Sequence, residues 1–121
     1  MDLYEKQADL IKALAHPVRL RILELLAAQE ACVCHLTAVL RQRQPYVSQQ
    51  LMLLREAGLV LDRKDGTIVY YRLADNQVED LIATTRAILR AQGVAAEAEP
   101  IPAIPVDGCP CPKCSGNDSC R

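Results

Sequence analysis

Six cysteines carry the first chemistry this sequence offers, and they fall into two groups. Cys32 and Cys34 stand in "AQEACVCHLT" (28–37), while Cys109, Cys111, Cys114 and Cys120 crowd the final stretch "GCPCPKCSGNDSC". Thiolates are soft donors that suit Cd(II), Pb(II), Zn(II), Cu(I) and, by the same softness, As(III). A Cys-x-Cys pair cannot share one face of a regular helix, where neighbours lie three or four residues apart. The two sulfurs converge only if Cys32 sits just before a helix and Cys34 in its first turn. In the tail, Pro110 and Pro112 prevent a helix, and the spacing C-x-C-x2-C-x5-C departs from common zinc-ribbon patterns.

These residues allow several arrangements. Cys32 and Cys34 could be joined by one or two tail cysteines in a composite thiolate site, or the tail could hold an ion by itself. The thiols could instead form disulfides under oxidation, or the tail could be a disordered scavenger. Buried core cysteine is the bland alternative for Cys32 and Cys34. The N-terminal Met-Asp-Leu-Tyr-Glu-Lys lacks a basic and then apolar leader, and no run approaches the roughly 18 apolar residues of a membrane span. A cytoplasmic protein with no membrane partner is the expectation. In that compartment clustered cysteines point to metal or redox chemistry before structural disulfides.

The elements that must position these residues are mostly helical. Half of the 121 residues are apolar, yet Trp and Phe are absent, so the core must be aliphatic. Leu3, Leu10, Ile11 and Leu14 mark one helical face over 3–14; Pro17 opens a second helix over 17–29, striped by Val18, Ile22, Leu25 and Leu26. A short third helix runs from about Cys34 to Arg41. A fourth spans 45–57, with Val47, Leu51 and Leu54 inward and Gly58 as its stop. The period then changes to that of strands: 59–64 and 67–73 flank Asp65-Gly66, a hairpin signal. A last helix covers 75–92, with Asp75 or Asn76 as cap. The organisation is therefore a folded domain over 1–92, a Pro/Ala-rich linker over 93–107 and a Cys-rich tail over 108–121. Extended, the seventeen residues from Gln92 to Cys109 reach roughly 56 Å at about 3.3 Å each.

The fold class is mainly α with a small β-hairpin, the parts of a winged helix–turn–helix domain. The net charge of −1 is uninformative, but its distribution is not. Residues 41–72 carry six basic and three acidic side chains, whereas 93–121 carry two basic and four acidic. The middle of the chain suits phosphates and the tail does not. Tyr46, Ser48, Gln49 and Gln50, near the start of the fourth helix, are candidate base and phosphate contacts, with Gln44 just before them. Arg41 and Arg43 before that helix, and Arg63 and Lys64 at the hairpin, are candidate backbone contacts. With two histidines and no acid–base constellation, an enzyme is not expected. His16 suits a structural hydrogen bond, and His35 an exposed surface position.

"KALAHPVRLRILELL" (12–26), "CVC" (32–34), "VSQQLMLLREAGLV" (47–60) and "RKDGTIVYYRL" (63–73) together resemble the ArsR/SmtB family of metal-responsive repressors, over roughly residues 5–92. The resemblance implies a homodimer paired through its first and last helices, bound to double-stranded operator DNA and released by its inducer. It also implies that "CVC" is the inducer site. One branch of the family adds a third cysteine three residues on, where this chain has Thr37. Another borrows cysteines from an N-terminal arm, and here residues 1–31 hold none. The family's alternative site uses histidine on the last helix, which is absent from 75–92. The expected inducer is therefore a thiophilic ion, Cd(II), Pb(II) or As(III), with Zn(II) as a further candidate. The competing expectation is a repressor of the same fold that answers to thiol oxidation.

Overall fold

The computed structural model describes residues 2–102; linker residues 103–107 and all four tail cysteines lie outside them. Asp2 begins the first helix α1 (Leu3–Leu14) by accepting the Glu5 N–H at 2.8 Å. At the next break, Nδ1 of His16 accepts the Val18 N–H at 3.2 Å and Pro17 fills the first turn of α2 (Pro17–Ala28). His16 thus has the structural role its place before Pro17 suggested. Helix α2 is buried on two sides, through Ile22, Leu23, Leu25 and Leu26.

Next come α3 (Val33–Leu40) and α4 (Gln44–Glu56), separated by three residues. Arg41 turns the corner in the left-handed region (φ 54°), at the position where a glycine would be least strained. Helix α4 ends as its Gly58 predicts: Gly58 adopts φ 77°, and the Leu59 N–H reaches back to the Leu54 carbonyl at 3.0 Å.

Strands β2 (Val60–Asp65) and β3 (Ile68–Leu73) form the hairpin, pairing Asp65 with Ile68 around a two-residue turn, Gly66-Thr67. Asp65 is therefore the last residue of its strand. The sheet also has a member that periodicity did not reveal. Ala31 and Cys32 form β1, which pairs antiparallel with Tyr71 and Tyr70, giving the order β1-β3-β2. Two residues are too short for an alternating pattern to register. The final helix α5 (Gln77–Ala91) starts where Asp75 Oδ1 accepts the Gln77 N–H at 2.8 Å.

The core is aliphatic, as a chain without Phe or Trp requires: Ile22, Leu23, Leu36, Val47, Leu51, Leu54 and Val60 are fully buried. Glu24 on α2 accepts hydrogen bonds from both Arg21 and Arg86, which ties α5 to α2. The described part of the linker differs from a free tether. Arg90 donates to the Ala96 carbonyl (2.8 Å), and Arg21 donates to the carbonyls of Glu99 (3.2 Å) and Pro100 (2.9 Å). The chain after α5 folds back across α2, because a guanidinium can satisfy successive carbonyls that an extended segment leaves open.

Leu51 supports α4 from beneath with no exposed surface. Leu51→Ala should lower the unfolding free energy by about 2–5 kcal/mol, read as a lower midpoint in urea at unchanged slope.

Candidate ion-sensing and DNA-contacting site

Cys32 is both the last residue of β1 and the N-cap of α3. Its backbone is extended (φ −85°, ψ 165°), and its sulfur accepts the His35 N–H at 3.4 Å. Cys34 follows in the first helical turn. The strand-to-helix break thus supplies the convergence that a continuous helix forbids, and the two sulfurs stand 2.9 Å apart. Cys32 is buried and Cys34 half-buried. Two thiolates on one tetrahedral ion stand about 3.8 Å apart for bonds of about 2.3 Å, a small side-chain rotation from this geometry. The donor pair therefore fits a soft ion. No cluster of three or more His, Cys, Asp or Glu occurs among the described residues, so a complete ligand set is not assembled within them.

The surroundings of the pair include both elements expected to meet DNA. A hollow of about 120 Å³ is walled by Cys32, Val33 and Cys34, by Gln44 at the start of α4, and by Thr67, Ile68 and Val69 of the hairpin. His35, expected at the surface, is buried at 5% exposure. It follows the pair in the first turn of α3.

The other candidate DNA contacts separate into three groups. Arg41, Arg43, Gln44, Gln49 and Lys64 are exposed. Tyr46 and Ser48 are half-buried, and the Tyr46 hydroxyl lies 3.4 Å from His16 Nε2. Gln50 departs from the expected reading face: it is only 6% exposed, and its Oε1 accepts from Arg19 Nη1 at 3.0 Å. Arg19 also donates to the carbonyls of Ala13 (2.7 Å) and Lys12 (3.2 Å), so one guanidinium joins the end of α1 to α4. The partner is buried because Gln50 shares the inward side of α4 with Val47, Leu51 and Leu54.

Arg63 also departs from a free phosphate contact. Its Nε and Nη2 bind the two carboxylate oxygens of Glu30 at 2.8 and 2.6 Å, and its guanidinium lies 4.7 Å from the Tyr70 ring centroid. The hydrogen bond to Glu30 raises its pKa further above the ordinary value, so it stays charged. Tyr71, on the opposite side of β3, has its phenol pKa raised by burial first and then by Asp62.

The comparisons with known proteins agree with this architecture. Residues 16–61 match the profile of the bacterial regulatory protein, arsR family. An HTH-type transcriptional regulator of Methanocaldococcus jannaschii is 42% identical over 83 residues, 68% of this chain and 93% of that protein. The chain belongs to the ArsR/SmtB family.

The arsenical resistance operon repressor of Escherichia coli is 52% identical to this ArsR-family protein over 67 residues, 54% of this chain and 57% of that one. Among solved structures, Rv0081 of Mycobacterium tuberculosis superposes with a TM-score of 0.71 at 38% identity, covering 76% of this chain and 93% of that one. The homodimeric winged helix–turn–helix domain Mb0332 of Mycobacterium bovis gives 0.68 at 32% identity, covering 81% and 90%. The fold and the relatives are those of DNA-binding transcriptional regulators, not of enzymes. Among the described residues no helix is long and apolar enough to cross a membrane.

Arg19→Met should leave the buried Gln50 carbonyl oxygen without its donor and lower stability by about 1–3 kcal/mol in urea unfolding.

Proposed function

We propose that this protein is a homodimeric transcriptional repressor that leaves its operator when Cys32 and Cys34 take up a thiophilic ion, Cd(II), Pb(II) or As(III), with Zn(II) a weaker candidate. One observation carries the reading: the two sulfurs share a single hollow with the first residue of α4 and the turn of the hairpin. Cys32 cannot shift its sulfur without disturbing the cap of α3, and α3 packs on α4. The ligand weakens DNA binding only by its difference in affinity for the two states. A coupling of about 1–3 kcal/mol corresponds to roughly 5- to 150-fold. Coordination displaces thiol protons, so the response should fade in acid.

The remaining donors come, on this reading, from Cys109, Cys111, Cys114 and Cys120. The route of the chain favours the same subunit. Glu99 shares a hollow with Val39 and Leu40 at the end of α3. Cys34 lies five to six residues away along that helix, about 8–9 Å at 1.5 Å per residue. From Pro102 to Cys109, seven residues still reach roughly 23 Å. The homodimer rests on apolar surface: Leu3 and Ile11 on α1 and Leu81, Ile88 and Leu89 on α5 are exposed. DNA contact is assigned to Arg41, Arg43, Gln44, Tyr46, Ser48, Gln49 and Lys64.

The short sulfur–sulfur distance supports a second reading, in which two thiols surrender two electrons and two protons to a peroxide and become a disulfide. Titration under strict reduction separates the two. DNA release by Cd(II), Pb(II) or As(III), with sulfur charge-transfer absorption, is the expected result. Cys32→Ser is a clean probe because serine is itself a favoured N-cap, so α3 keeps its start while the soft donor is lost. Cys32→Ser and Cys34→Ser should abolish ion-driven release, and truncation after Val106 should weaken ion binding. Full release by every thiophilic ion in both serine variants would overturn the proposal.

Arg41 separates stability from DNA contact. Arg41→Gly relieves the left-handed backbone and should raise stability by about 0.5–1 kcal/mol. The same change should weaken DNA binding and reduce its salt slope by about 1.

A further inference from the structure

Cys32, Tyr70 and Arg63 stand opposite one another across the three strands: Cys32 pairs with Tyr70, and Tyr70 with Arg63. Directly opposed residues of antiparallel strands project from the same face. On that face Cys32, Ile68 and Tyr70 form a small buried cluster of their own, with Cys34 packed against it. The Tyr70 ring carries the Arg63 guanidinium. Arg63 then returns to the first strand's approach, gripping Glu30 through both carboxylate oxygens, two residues before Cys32. The chain of contacts therefore begins and ends beside the sulfur pair.

The exposure of this pair indicates its purpose. The Arg63 side chain is 48% and that of Glu30 21% exposed. Ion pairs so open to water add little to stability. A two-pronged guanidinium–carboxylate grip nevertheless fixes relative position well, which a single lysine contact does not.

We propose that Glu30 and Arg63 form a latch that couples the Cys32 sulfur to the wing, so that the hairpin, and not only α4, answers to the ligand. This rests on the reading of Cys32 and Cys34 as the ion-binding pair. While the latch holds, β2 is fixed to the segment that carries Cys32, and Lys64 and the Gly66-Thr67 turn follow any displacement of that sulfur. Arg63 is a positioning residue in this scheme, its guanidinium committed to Glu30. The rival route runs from α3 to α4 and does not involve Glu30.

The test compares the wild type with Glu30→Gln and Arg63→Lys, on the full chain under reduction. The DNA is a duplex selected from random sequence for binding the ion-free protein, and the ion is Cd(II). Both variants should retain wild-type Cd(II) stoichiometry and charge-transfer absorption. In the ion-free protein, amide exchange along β2 should become about tenfold faster in both. Cd(II) should weaken DNA binding of the wild type by about 5- to 150-fold and that of the variants by less than about twofold. Unchanged β2 exchange, or wild-type weakening in both variants, overturns the latch and leaves the sensor reading standing. Absence of any Cd(II), Pb(II) or As(III) effect on the wild type overturns both.

Discussion

One residue holds two kinds of structure together here. Cys32 closes a strand, and its sulfur accepts the N–H that starts the next helix, so the sheet and the helix–turn–helix unit are joined at a single side chain. Most helix caps are isolated from a sheet, and a change in the cap frays one turn. Here the backbone of the cap is paired with Tyr70, so the cap residue also belongs to the row that crosses the sheet. A soft, polarisable atom at that junction is a modest hydrogen-bond acceptor and a strong metal donor.

Helix α2 plays the complementary part for the rest of the chain. Its apolar sides fill the core, while its charged residues each reach a different element. Arg19 gathers the last carbonyls of α1 and the amide of Gln50 on α4. Glu24 takes Arg86 of α5, and Arg21 holds the segment that follows α5. Long charged side chains with buried stems and polar ends can make such links without costing the core its continuity. Polar contacts of definite geometry thus tie α1 to α4 and α5 to α2, laid over a largely aliphatic core.

The apolar surface left on α1 and α5 belongs to the same economy of size. A domain of about ninety residues buries a limited fraction of its apolar groups alone. The amphipathic faces that α1 and α5 show in sequence are only partly used within one subunit: Leu14 is the buried residue of α1, while Leu3 and Ile11 stay exposed. The Mb0332 domain, whose fold this chain shares, is homodimeric.

The sequence by itself determined the succession of elements, because each depends on local rules. Pro17 starts a helix, Gly58 ends one, and Gly66 lets a strand reverse, through the conformations these residues favour. It also determined that Cys32 and Cys34 could converge only across a helix start, which is a matter of helical period. Tertiary structure decided what local rules cannot reach. The two-residue strand at Ala31–Cys32 exists only because β3 offers it a free edge. The side-chain oxygen of the inward-facing Gln50 finds its donor in Arg19, thirty-one residues earlier. Arg63 pairs with Glu30, thirty-three residues earlier, and the chain after α5 folds back onto α2, where Arg21 binds its carbonyls. Each of these outcomes depends on partners distant in sequence, whose meeting is fixed by the packing of the whole domain and is written in no local pattern.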